Sequence, residues 1–233
     1  MDVAATPTPV ASNRQLVEEV MDTGWAVTQL QTVAPGRRRE AIVALARAFG
    51  TITATRGRNA IDELRPRARA EARPGSMSAA TGLGAQPWHM DMAHRPLPAR
   101  FVLLSCVDAG QQDCATELLD WRQSLPSDDL DQAASEPMRV RSGRASFYAT
   151  MLDPRRRFLR CDPTCISGLT DAGRALQIAI GRASCIPTHQ VCWQPGRTLI
   201  FDNWRLLHRR ADASRSRQRT LLRISIMGQT DDC

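Results

Sequence analysis

The sequence predicts an α+β chain that is mainly β, a sandwich or jelly-roll core flanked by N-terminal helices and interrupted by one inserted helix. Three observations carry this expectation. Fourteen Gly and 14 Pro in 233 residues mark a turn-rich chain. From Arg100 onward, short apolar runs separated by turn residues follow one another, as in all-β sandwiches and barrels. Helical periodicity, by contrast, is concentrated ahead of that point.

Residues 1–13, rich in Ala, Thr, Pro and Ser, are expected to be a flexible N-terminus, and residues 14–233 one domain. Leu16, Val17, Val20 and Met21 recur at helical spacing and stop before Gly24. Trp25 to Leu30 reads as a strand, and Ile42, Val43, Leu45, Ala46 and Phe49 as a second helix between Pro35 and Gly50. Residues 51–85 are polar and Arg-rich and are expected to form loops with one short helix. The β-like runs are Phe101–Val107, Glu117–Leu119, Val140–Met151, Phe158–Arg160, Gln190–Trp193, Thr198–Phe201 and Thr220–Met227. The inserted helix is Asp171–Arg182, with Thr170 as its N-cap.

Composition narrows the functional classes. The chain is 42% hydrophobic and 24% charged, enough to bury one core and outside the range of disordered chains. No run of 18 apolar residues and no secretory pattern is present, so a cytoplasmic protein is the expectation. The formal charge of +7 invites a nucleic-acid reading, but the sequence has no lysine: all 31 basic residues are arginines, spread along the chain. Aromatic residues are 5% of the chain, too few for stacking platforms. The seven cysteines (106, 114, 161, 165, 185, 192 and 233) show no CxxC spacing and are expected to be mostly buried free thiols.

The four histidines are His89, His94, His189 and His208. In Trp88-His89-Met90-Asp91, an extended backbone would point positions 89 and 91 to the same face. His208 comes much later, after the Pro195-Gly196 turn and the apolar run ending at Phe201. Two neutral imidazoles and one carboxylate make the facial triad of non-haem Fe(II) oxygenases, which leaves coordination positions open for a bidentate co-substrate and O2. The plainer reading of His89 is a surface or capped histidine. Arg219 and Arg223 follow, four apart, so on a strand both forks would face one cavity, where arginine suits a distal carboxylate. Their plainer reading is two more surface arginines. His94 and His189 read as structural or exposed, and Trp88, Trp204 and Phe147 as packing around the metal.

On these motifs the chain resembles the taurine dioxygenase/clavaminate synthase-like branch of the Fe(II)/2-oxoglutarate-dependent oxygenases. The resemblance spans roughly residues 14–227. It is carried by Trp88-His89-Met90-Asp91 with the Pro98 to Leu104 strand, by Thr116 ahead of Glu117–Asp120, by Pro195-Gly196 through Asp202-Asn203 before His208, and by Arg219 and Arg223. It implies a double-stranded β-helix, Fe(II) held by His89, Asp91 and His208, and 2-oxoglutarate held through its far carboxylate by Thr116 and Arg219. Arg223 would lean toward the acidic group of the primary substrate or assist the co-substrate. The implied activity is oxidation of an unactivated C–H bond, most simply hydroxylation, with desaturation or ring closure as other fates of the same radical. The substrate would be a small carboxylate-bearing molecule such as an amino acid or derivative of specialised metabolism. The carboxylate at position 91 argues for oxygenation over halogenation. Two features depart from the family: the chain is short, and Arg209 stands where a glycine often follows the distal histidine. The competing expectations are a nucleic-acid dioxygenase, suggested by the basic charge, and a non-enzymatic jelly-roll binding module.

Overall fold

Alternation of side chains along each strand decides what the two faces of the main sheet cover. The computed structural model describes residues 12–30, 35–55, 59–111, 114–182 and 187–228, so Cys185 and Cys233 lie outside the described residues. Helix α1 (Asn13–Thr23) leads into β1 (Trp25–Gln29), and α2 (Arg38–Arg47) precedes β2 (Thr51–Thr53) and β3 (Asp62–Leu64). A short helix α3 (Met77–Thr81), β4 (Phe101–Asp108), β5 (Thr116–Asp120), α4 (Trp121–Ser124) and α5 (Ser127–Ser135) follow. Then come β6 (Pro137–Ser142), β7 (Ala145–Thr150), β8 (Ile166–Gly168), α6 (Asp171–Arg182), β9 (His189–Val191), β10 (Arg197–Asp202), β11 (Leu206–Arg210) and β12 (Thr220–Met227).

The main sheet runs β1-β10-β4-β12-β2, with β3 also on β12; a second sheet runs β11-β5-β9 and a third β7-β6-β8. Every strand pairing among them is antiparallel. On β4, Phe101 and Leu103 turn to one side and join Leu16, Val20, Ile42 and Leu45 of the helices. Val102, Leu104 and Cys106 turn to the other and join Leu118, Val191 and Leu206 of the second sheet. The central strands β10, β4 and β12 are therefore buried on both faces, and each fully buried Leu or Ile contributes about 1.5–3 kcal/mol. The third sheet packs with α5 and α6 in a further core containing Trp88, Met138, Leu176 and Trp204.

Helix α1 begins on a capping box formed by Ser12 and Gln15. It ends on Gly24 in the left-handed region (φ 92), as the periodicity predicts. At α6, the Thr170 hydroxyl accepts from the Gly173 amide at 2.8 Å, which is the expected N-cap.

Several expectations are corrected. Val140–Met151 is not one strand but the hairpin β6–β7, turned at Gly143 with φ 64. Phe158–Arg160 forms only an isolated bridge, Leu152 to Leu159. Residues 51–85 contain α3 but also β2 and β3, and the insertions include α4 and α5 besides α6. Among the described cysteines, 106, 114 and 161 are buried, 165 is half-buried and 192 is exposed, all as free thiols. Burial pushes the Cys106 thiol up to about 11 and Cys161 up to about 12, which makes both poor nucleophiles. No helix among the described residues is long and apolar enough to cross a membrane.

Candidate metal centre

His89 and His208 are brought together by the backbone. His89 donates its amide to the His208 carbonyl at 3.1 Å, and His208 returns the bond at 2.9 Å. This one-residue bridge fastens the His89–Asp91 segment to the edge strand β11. On β11, His208 stands on the same side as Leu206, facing the core between the two sheets, 5.0 Å from the Phe201 ring. The two imidazole centroids are 4.3 Å apart. One ligand atom from each of His89, Asp91 and His208 lies within 4.8 Å of the others, and all three residues are buried.

Each side chain is aimed by a neighbour. His89 Nδ1 lies 2.9 Å from the Pro87 carbonyl; as the donor in that bond, it leaves the lone pair on Nε2. Burial first, with smaller contributions from His89 and Arg223, pushes His208 down to about 3, so its imidazole is neutral at any physiological pH. Neutral imidazole is the form that binds a metal. Burial alone would raise the Asp91 carboxyl, but Arg223, His208 and His89 outweigh it and the group is held below its ordinary range. The His208 Nδ1 is buried without a partner. Two imidazoles and an ionised carboxylate meeting in one cavity fit a divalent first-row metal.

The turn after Asp91 is held open against strain. Met92 adopts φ 59, a left-handed conformation uncommon for a non-glycine residue. Asn203 clamps this turn with three bonds. Its Oδ1 accepts from the Asp91 amide at 2.9 Å, and its Nδ2 donates to the carbonyls of Asp91 at 3.0 Å and Ala99 at 2.8 Å. Arg160, buried against Phe147 and Phe158, donates to the carbonyls of Ala93, Arg95 and Pro96. Replacing Asn203 with Ala orphans these buried groups at about 1–3 kcal/mol each where water cannot reach. Asn203→Ala should therefore lower the melting temperature by at least about 6 °C for a chain of this size. A melting curve within 2 °C (roughly half a kcal/mol) of the parent would refute the clamp.

Thr116 and Arg219 line the same cavity, whose volume is about 460 Å³. Arg219 is buried, donates from Nη1 to the Cys114 carbonyl at 3.1 Å, and has a buried Nε without a partner. No carboxylate pairs with it among the described residues; its charged neighbour is Arg210, itself tied to the Gly82 and Gly84 carbonyls. Thr116 Oγ1 accepts from Trp193 Nε1 at 3.2 Å, which leaves its hydroxyl proton to donate.

Arg223 also reaches this cavity, but its fork is engaged. One Nη donates to both Asp91 oxygens, at 2.8 and 3.0 Å, and the other to Asp62 at 3.0 Å. Arg209 lies over the Trp88 ring at 4.2 Å and pairs with Glu117, so its charge is balanced at the cavity wall. His94 lines a neighbouring cavity of about 660 Å³, and His189 stacks on Trp25 at 4.4 Å. Trp88 and Trp204 are buried, with Phe147 packed against the same core. Sequence reasoning missed Asp62 and Arg160, which carry no local signature; Asn203 stood in the Asp202-Asn203 motif without a role.

Residues 140–225 match the model of the "taurine catabolism dioxygenase TauD, TfdA family", a stretch running from β6 to β12. No curated protein sequence matches the chain. Solved structures similar to it include an asparagine oxygenase in complex with Fe(II), 3-hydroxyasparagine and succinate (TM-score 0.70, 16% identity, 92% of this chain and 78% of that one). The non-heme iron oxygenase OrfP with Fe, succinate and (3S)-hydroxy-L-Arg is another (0.65, 17%, 94% and 80%). PvcB of Pseudomonas aeruginosa is a third (0.61, 17%, 97% and 94%). The resemblance read from the sequence motifs thus holds in the family match and in the mainly β, antiparallel fold.

Proposed function

We propose that this chain is an Fe(II)- and 2-oxoglutarate-dependent oxygenase of the TauD-like kind, acting on a small carboxylate-bearing substrate such as an amino acid or its derivative. The observation that carries the reading is the meeting of His89, Asp91 and His208 in one cavity that also receives Thr116 and the uncompensated Arg219. We read the main sheet facing β11-β5-β9 as the double-stranded β-helix of that family, with the site between its sheets.

His89 Nε2, an Asp91 oxygen and His208 would hold the metal. Ferrous iron held there would supply, with O2 and 2-oxoglutarate, the oxidising power to functionalise an unactivated C–H bond, the co-substrate being converted to succinate and CO2. Arg219 would fork onto the far carboxylate of 2-oxoglutarate, with the Thr116 hydroxyl donating a further bond. The protein's remaining task is to set the reacting C–H bond and keep water out. The cavity wall carries charges of both signs for a zwitterionic substrate. Asp162 is one, and Arg67 and Arg73 have no carboxylate partner among the described residues. The neighbours solved with hydroxylated asparagine and arginine support the amino-acid class. Of the 31 arginines, Arg160, Arg210 and Arg219 are buried within the fold and so are withdrawn from any phosphate backbone.

A succinate-release screen over amino acids with Fe(II), ascorbate and 2-oxoglutarate tests the proposal. At least one amino acid or derivative should stimulate release well above the uncoupled background. Stimulation by methylated oligonucleotides and by no amino acid would replace this substrate class.

A further inference from the structure

Arg223 lies on β12 between β4 and β3, and its cross-strand partner on β3 is Asp62. Its guanidinium spans two carboxylates, with Asp91 at 2.8 and 3.0 Å on one Nη and Asp62 at 3.0 Å on the other. Side-chain exposures of 15% for Arg223, 10% for Asp91 and 21% for Asp62 put the chain of charges largely out of water, where Coulomb effects are strong. Both Nη atoms are engaged by carboxylates of its own chain, and the remaining Nε is buried without a partner, so the ends of the fork are turned to Asp91 and Asp62. We infer that Arg223 and Asp62 are positioning residues for the iron-site carboxylate: Arg223 orients Asp91, and Asp62 cancels the arginine's charge so that it does not repel a divalent cation.

This rests on the triad reading above. The sign of each effect follows from charge. Without Asp62, an uncompensated buried guanidinium sits directly on a metal ligand, and cation affinity falls. Without Arg223, two carboxylates face the site, so affinity holds or rises while Asp91 loses its fixed orientation. A merely structural role would move both variants the same way.

Mn(II) titration of the metal-free protein, without 2-oxoglutarate, reads this directly. Asp62→Asn should raise the Mn(II) dissociation constant about 10-fold or more, the lower end of what losing an outer-shell partner costs. Arg223→Met should leave that constant equal to or below the parent's. The Asp62→Asn/Arg223→Met double variant removes both balancing charges and should return it to within about threefold of the parent, since coupled partners are not additive. The double variant also decides the matter if Asp62→Asn alone fails to fold. An Asp62→Asn constant within twofold of the parent, equal weakening in both single variants, or no recovery in the double variant overturns the inference. A parent protein that takes up no Mn(II) overturns the triad reading beneath it, so the two failures are distinguishable.

Discussion

Asp91→Ala and His208→Ala should each reduce 2-oxoglutarate-dependent succinate formation by at least about 100-fold, since removing a ligand must cost more than the 10–100-fold lost with an outer-shell partner. Both should remain folded, because the surrounding core is built by other residues: Leu118, Phe201 and Leu206 on one side and Trp88 and Leu207 on the other. The two variants should differ in stability. Truncating His208 removes a neutral buried ring, whereas truncating Asp91 leaves Arg223 held by Asp62 alone. A buried cation deprived of a partner is costly, so Asp91→Ala should melt lower than His208→Ala. Mn(II) titration and a melting curve of each variant check the two halves separately. Full turnover in either variant, with the protein folded, would remove the triad and leave a basic β protein with a cavity.

The site was more legible in the sequence than the elements that support it, for physical reasons. His89 and Asp91 advertise themselves because a two-residue spacing on extended chain converges side chains without help from the rest of the fold. Arg219 and Arg223 were legible as a pair on an apolar strand, but not what fills the second fork. Asp62 belongs to a three-residue strand, too short for any alternation to show, and it meets Arg223 only through cross-strand pairing. Strand β11 was passed over because it does not alternate: Leu206 enters one core and Leu207 another, so both faces are covered. Helix α5 buries only Leu130 and Ala133, a stripe too thin to read as periodicity. Arg160 serves the turn after Asp91 through three backbone carbonyls far away in sequence, a contact that no local pattern encodes.

Arg219→Ala should raise the 2-oxoglutarate concentration needed for half-maximal turnover by at least about tenfold, since a charge-assisted hydrogen bond contributes about 1.5–3 kcal/mol and the fork can make two. Mn(II) affinity should stay near the parent value, because Arg219 bonds the Cys114 carbonyl and none of His89, Asp91 and His208. Stability gives a second, independent sign. In the free protein Arg219 is a buried cation without a carboxylate, close enough to Arg210 to feel its charge. Removing it should therefore cost the unliganded protein little beyond the bond to the Cys114 carbonyl, about 1–3 kcal/mol. The parent, however, should gain about 2.7 kcal/mol when 2-oxoglutarate is present at 100 times its dissociation constant, and the variant should lose most of that gain. Arg219→Lys should fall between the two, since a compact ammonium keeps the charge but cannot bridge both oxygens of a carboxylate. Melting curves with and without 2-oxoglutarate, in the presence of Mn(II), measure all three proteins in one format. If the variant kept its response to 2-oxoglutarate and lost only its affinity for the primary substrate, Arg219 would be the substrate's anchor. The far carboxylate of the co-substrate would then have to be sought at Arg210 or at Arg67 and Arg73 of the cavity wall.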